Sequence, residues 1–132
     1  MWPPQVEEIA AVFRAAGIEA RLEELAHGET ALPGAAARAA GYDCDGRLVV
    51  ALVPTDAPID PTKLGCVYAR PVEPPRFPFR GATVRIERSL LNRRMIWLAA
   101  GSPRHAVGLA PLQLARFVHA QPIDLLADQE VA

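Results

Sequence analysis

Residues 71–81, Pro-Val-Glu-Pro-Pro-Arg-Phe-Pro-Phe-Arg-Gly, hold the densest set of chemistry-bearing side chains in this 132-residue chain. Arg76 and Arg80 bracket Phe77, Pro78 and Phe79. Exposed rings beside guanidinium groups can stack on a base or sugar while the cations pair with phosphate. The four prolines of the stretch each fix φ and remove a backbone donor, so the segment reads as a stiff, ordered loop. The same residues admit a plainer reading, in which Phe77 and Phe79 plug the core and the prolines brace the turn.

Other reactive side chains are sparse. His27, His105 and His119 lie far apart in the sequence. His105 follows Gly101-Ser102-Pro103-Arg104, a turn that could face a cleft, and His27 sits in the loop His27-Gly28-Glu29-Thr30. Each is either a ligand contact or an ordinary loop residue, since loops carry sites more often than strands do. His119, near the end of a helix, reads as a cap or a solvated side chain. Lys63 is the sole lysine and reads as a surface residue. The chain contains no GxSxG, P-loop, HExxH or GxGxxG pattern. Cys44 and Cys66 are isolated, without CxxC or a histidine at ligand spacing, which predicts neither a disulfide nor a zinc framework and makes a reducing cytoplasm the default.

The elements that position these groups follow from pattern. Leu48 to Val53 is an unbroken apolar run between Asp45-Gly46 and Pro54-Thr55-Asp56. Such a run reads as a strand buried on both faces, with Asp45-Gly46 as a hairpin turn. The hairpin's other strand is expected from about Ala36 to Cys44 after a short turn near Leu32-Pro33-Gly34-Ala35. Asp60-Pro61 caps and opens a short helix to Leu64. Pro3 or Pro4 opens an N-terminal helix with Val6, Ile9, Ala10 and Phe13 on one face, ended by Gly17. Ile18–Leu22, Val67–Arg70, Val84–Ile86, Met95–Ala99 and Ala106–Leu109 read as strands, and Ser89–Asn92 as a turn. Pro111 begins a last helix, and Ile123, Leu125 and Leu126 pack after it. The expected fold is a single α/β (α+β) domain spanning 1–132: a mixed, mostly antiparallel sheet or partly open barrel with helices on its outside.

Charge is segregated. Residues 1–65 carry 5 basic and 10 acidic side chains, whereas residues 66–120 carry 9 basic and 2 acidic. Such asymmetry suits contact with a polyanion, although arginines balancing acids folded beside them would give the same count. No apolar run approaches the roughly 20 residues of a membrane helix, so no membrane partner is expected. The N-terminus lacks the basic start and apolar centre of a signal peptide.

The order of motifs resembles the YbaK-like family, also called the prolyl-tRNA-synthetase-associated editing domain. The stretch GRLVVALVPTDAPIDPTKLG matches that family's glycine turn, apolar strand and following "V-D-hydrophilic-K-L" helix. Pro78-Phe79-Arg80-Gly81, Ser89-Leu90-Leu91, Ile96–Gly101 and Leu109-Ala110-Pro111-Leu112-Gln113-Leu114 follow in the family's order, and Asp124 falls where members often end in "V-x-D-I". The matches span nearly the whole chain.

The resemblance implies a trans-editing enzyme that hydrolyses the ester between a wrong amino acid and the 3′-terminal adenosine of a tRNA. It implies water as the attacking group, no metal, no cofactor, and backbone donors aimed at the developing oxyanion. The aminoacyl-tRNA acceptor end is the expected partner, and an aminoacyl-tRNA synthetase is a further candidate. The family's strand lysine falls on Arg38, which keeps the charge but cannot shed its proton. The glycine of its Gly-x-x-x-Pro loop falls on Pro74, which has no N–H, and the proline on Pro78. The implied pocket is walled by Val50, Leu52, Phe77, Phe79, Gly81, Gly101, Ser102 and His105, with Arg76, Arg80 and Arg104 on the tRNA. Because Arg38 and Pro74 depart from the pattern, a non-catalytic member that binds tRNA, a nucleotide or a synthetase is the alternative. A ligand-binding module unrelated to tRNA would instead scatter its arginines over the surface.

Overall fold

The computed structural model describes residues 2–25, 35–100 and 104–127. Expectations at His27, at the 31–34 turn, and at Gly101 and Ser102 lie outside those residues.

The hairpin predicted around Asp45-Gly46 is the centre of the fold. β2 (Ala37–Cys44) pairs with β3 (Arg47–Pro54) antiparallel over its whole length, from Ala37 opposite Pro54 to Cys44 opposite Arg47. Both turn residues take positive φ, 55° at Asp45 and 88° at Gly46, the geometry a two-residue primed turn requires. Val49 to Val53 are all buried, as an apolar run in a central strand should be.

A five-stranded sheet grows on both sides of this hairpin, in the order β4-β2-β3-β5-β8, with β4 at Ala69–Val72, β5 at Thr83–Glu87 and β8 at Gln121–Ile123. β4 pairs antiparallel with β2, whereas β3, β5 and β8 run parallel to one another. Each edge strand carries a proline, Pro71 in β4 and Pro122 in β8. A separate three-stranded antiparallel sheet, β1-β7-β6, contains β1 (Arg21–Glu24), β6 (Ile96–Ala99) and β7 (His105–Leu109). The two sheets meet where Trp97 N donates to Ala35 O at 3.0 Å, beside an Ala36–Trp97 bridge. They do not close into a barrel.

α1 (Pro4–Ala15) starts at proline, as read from sequence, and buries Val6 and Phe13. α2 (Pro111–Phe117) also opens on proline and buries Leu114 and Ala115. The main core lies between these helices and the two sheets and includes Val50, Leu52, Ile86, Ile96, Leu109 and Leu114. A smaller core on the opposite face of the large sheet holds Tyr42, Val49, Ala51, Val53, Leu64 and Leu125. Buried Glu87 ties this face together: Oε2 accepts from Ser89 N at 2.7 Å and Oε1 from Leu125 N at 3.2 Å.

One expectation is overturned. Cys44 and Cys66 form a disulfide, with Cα atoms 5.6 Å apart across a sequence separation of 22. Their meeting depends on tertiary geometry that spacing does not encode. The strand end carries Cys44, and the 3₁₀ turn Pro61–Leu64, capped by Asp60 and stopped by Gly65 at φ 83°, returns the chain to it. Asp45 completes the corner, its carboxylate accepting from Val67 N at 2.8 Å and Tyr68 N at 2.9 Å. Those bonds occupy the donors that the expected Val67–Arg70 strand would have used, so β4 begins only at Ala69.

Candidate active site

The loop singled out by its chemistry borders the larger cavity. Between α1, the first half of β2, the start of the loop after β3 and residues 75–80 lies an open groove of about 1490 Å³. Its floor is apolar: Ala37 and Ala39 from β2, Leu98 from β6, Val107 from β7, and Phe79. Ile9 and Val12 of α1 form one wall. Arg76, Arg80 and Arg93, all exposed, stand among its lining residues, as do the carboxylates of Glu8 and Asp56. None of these five side chains makes an ion pair or hydrogen bond among the described residues.

The proline pattern limits which backbone donors the loop has to offer. Pro75 and Pro78 have no N–H, and Phe79 N donates to Arg76 O at 2.8 Å. Within residues 75–79 the N–H groups of Arg76 and Phe77 are therefore the open donors, neither bonded to any described residue. Sequence reasoning looked for a donor at Pro74 and missed this pair.

Pro74 has a different place. It packs over Gly41, where an added Cβ would come within 2.9 Å of Pro74 Cα and 2.7 Å of Val72 O. Its role is to seat the loop on β2 at a residue that only glycine allows. Arg38 borders the groove but sits on the opposite pleat from Ala37 and Ala39, opposite Val53 of the smaller core. Its Nη2 donates to Ala57 O at 3.1 Å, tying β2 to the loop that carries Thr55 and Asp56.

Other expected pocket residues separate. Val50 and Leu52 are fully buried beneath the groove, inside the main core, and do not line it. Phe79 is buried and Phe77 partly so. Phe77 lies 4.9 Å from Phe13 and 5.9 Å from Phe117, ring centre to ring centre, joining α1 to α2. These rings are core plugs that also border the groove, which is the plainer of the two readings the sequence left open. Gly81 lines a second, smaller cavity. His105 is buried on β7 with an edge-on ring contact to Trp2 at 5.3 Å, away from the groove. Arg104 pairs with Glu24 at 3.6 Å and donates to Leu25 O at 3.3 Å. The groove residues that sequence reasoning did not single out include the floor of Ala37, Ala39, Leu98 and Val107 and the polar Glu8, Asp56 and Arg93, from elements whose approach is set by packing.

Among the described residues no group of three or more His, Cys, Asp or Glu side chains could hold a metal ion. No helix among them is long and apolar enough to cross a membrane.

Solved structures resemble this chain closely in shape. A protein with a proposed role as a trans-editing enzyme for prolyl tRNA synthetase superposes with a TM-score of 0.80 at 18% identity, covering 97% of this chain and 100% of the other. A scaffold protein carrying a computationally grafted epitope gives a TM-score of 0.79 at 18% identity, with the same coverage. A protein of Marinobacter aquaeolei VT8 with a proposed role in signal transduction gives 0.71 at 14% identity, over 96% of this chain and 31% of that one. No protein-family model and no curated protein sequence matches the chain. At such identities the likeness establishes the fold, which is YbaK-like, as the order of sequence motifs implied.

Proposed function

We propose that the groove is the active site of an aminoacyl-tRNA deacylase, which removes a wrong amino acid from the 3′-terminal adenosine of a tRNA. One observation carries the reading: an apolar floor and three exposed arginines line a single groove, in a fold shared with a proposed prolyl-tRNA-synthetase editing protein. The floor of Ala37, Ala39, Leu98 and Val107 suits an uncharged amino-acid side chain. Arg76, Arg80 and Arg93 suit the phosphates of the acceptor end, because guanidinium matches phosphate geometry.

The reaction is attack of water on the ester carbonyl, followed by loss of the ribose hydroxyl. The open N–H groups of Arg76 and Phe77 are suited to accept the oxyanion's charge as it develops, a contribution typically worth 10²–10³ in rate per donor. Glu8 and Asp56, the carboxylates of the lining, can take the proton of the attacking water. Arg38 acts as a positioning residue by holding Ala57 O, which fixes the loop bearing Asp56. An arginine here orients and does not accept protons.

The test is deacylation of a panel of mischarged tRNAs, including alanyl and seryl esters on non-cognate tRNAs, by the wild type and Arg38→Ala. Turnover by the wild type, reduced at least tenfold in the variant, is the expected result. A second reading is favoured by the engagement of Arg38 with Ala57 O and the seating of Pro74 on Gly41: a protein that binds tRNA, a nucleotide or a synthetase without hydrolysis. Salt-dependent tRNA binding with no turnover on any ester would replace the first reading with the second.

A further inference from the structure

A second cavity, of about 400 Å³, lies against the same loop and is lined by residues 78–85 together with Phe117, Val118 and His119 at the end of α2. Its lining includes Arg80, Arg85 and His119 and no carboxylate. All of its lining comes from the segment 66–120, whose 9 basic and 2 acidic side chains give the cavity its positive bias. Arg85 Nη1 donates to Gln121 Oε1 across the β5–β8 pair, which fixes one edge of the guanidinium. Its other N–H groups have no partner among the described residues. The backbone adds donors: Phe79 and Gly81 take φ values of 65° and 83°, and the N–H groups of Arg80 and Gly81 are unbonded among the described residues. Tight turns of this kind gather amide donors around an anion.

We propose that this cavity is a phosphate-binding site, with Arg80, Arg85 and His119 as its side-chain donors. Pro78, Phe79 and Arg80 line both cavities, so a phosphate here lies one wall away from a group in the groove. The phosphate is either a free ion or a backbone phosphodiester of RNA whose 3′ residue occupies the groove. The second source rests on the deacylase reading; the first does not.

The first arm titrates the wild-type protein with inorganic phosphate and follows its amide, Arg85 Nε and His119 resonances by NMR. Saturable shifts confined to residues 80–85 and 119 are expected, with an apparent Kd raised roughly tenfold or more in Arg85→Gln/His119→Gln, in line with the loss of charged hydrogen bonds. Absence of saturable shifts, or an unchanged Kd in the variant, overturns the proposal. If the double variant does not fold, Arg85→Gln and His119→Gln are read singly by the same criterion. The second arm compares CpCpA with adenosine. Tighter CpCpA binding that falls to the adenosine level in the variant, with the slope of log K against log salt shallower by about 0.7 per lost contact, identifies RNA as the source. Equal behaviour of CpCpA and adenosine, with phosphate still bound, supports the site with a free ion as its ligand. Failure of both to bind overturns the deacylase reading while the phosphate result stands on its own.

Discussion

Two regions of this molecule use charge in opposite ways. At the corner formed by residues 43–46 and 60–70, charged side chains find partners within the protein. Asp43 pairs with Arg70 at 3.2 Å, Asp45 caps Val67 and Tyr68, Asp60 accepts from Thr62 N at 3.0 Å, and Lys63 bonds Asp124 at 3.1 Å and Leu126 O at 2.7 Å. The Cys44–Cys66 disulfide fastens the same corner. Around the groove, Arg76, Arg80 and Arg93 share the surface with Glu8 and Asp56 and pair with none of them. Charges satisfied internally build a rigid support. Charges left open beside an apolar floor remain available to a ligand. Surface ion pairs are individually weak, so the value of the corner lies in geometry more than in energy.

That contrast can be broken most severely from beneath. Leu52→Ala removes a fully buried side chain under the groove floor and should lower unfolding stability by about 2–5 kcal/mol, read by denaturant titration. A small loss, under about 1 kcal/mol, would return Leu52 to the pocket wall that the sequence suggested. Cys66→Ala should cost about 3 kcal/mol, since it reopens a loop of 22 residues, while the deacylation proposed for the groove stays at the wild-type rate. An equal fall in turnover would show the two regions to be coupled. Arg76→Ala/Arg93→Ala should leave stability within about 0.5 kcal/mol while shallowing the salt dependence of tRNA binding by about 0.7 per contact. Unchanged binding would remove the groove's arginines from the interface.

The smallest expected effect concerns acid. Hydrogen bonds from the Thr62 hydroxyl and backbone N–H hold the Asp60 carboxyl below its ordinary value of 3.8. A depressed folded pKa gives stability that is present above the unfolded value and lost as pH falls through the folded one. Asp60→Asn should therefore flatten the acid limb of the stability curve below pH 3.8, with the variant's deficit present at neutral pH and vanishing as the wild-type carboxyl protonates. A curve steepened below that pH would contradict the cap.

What the sequence made legible is what local chemistry decides. The β-branched run of β3, the Asp45-Gly46 turn, the proline helix starts and the Asp60 cap all follow from residues within a few positions of one another. The parallel pairing of β5 with β8, the disulfide and the placement of α1 along the groove join segments far apart in the chain. Arg38 shows the same limit at one position. Its charge was evident, but whether it took the main-core face of the sheet or the face of Val53 depended on the register of the hairpin.

The two edge prolines of the large sheet bear on how the protein behaves in a crowd. An edge strand offers a row of free N–H and C=O groups on which another chain can template itself. Pro71 in β4 and Pro122 in β8 each strike a donor from those rows. The five-stranded sheet is thus capped at both ends against strand-by-strand growth, a safeguard against amyloid-like stacking written into two residues that take no part in the groove.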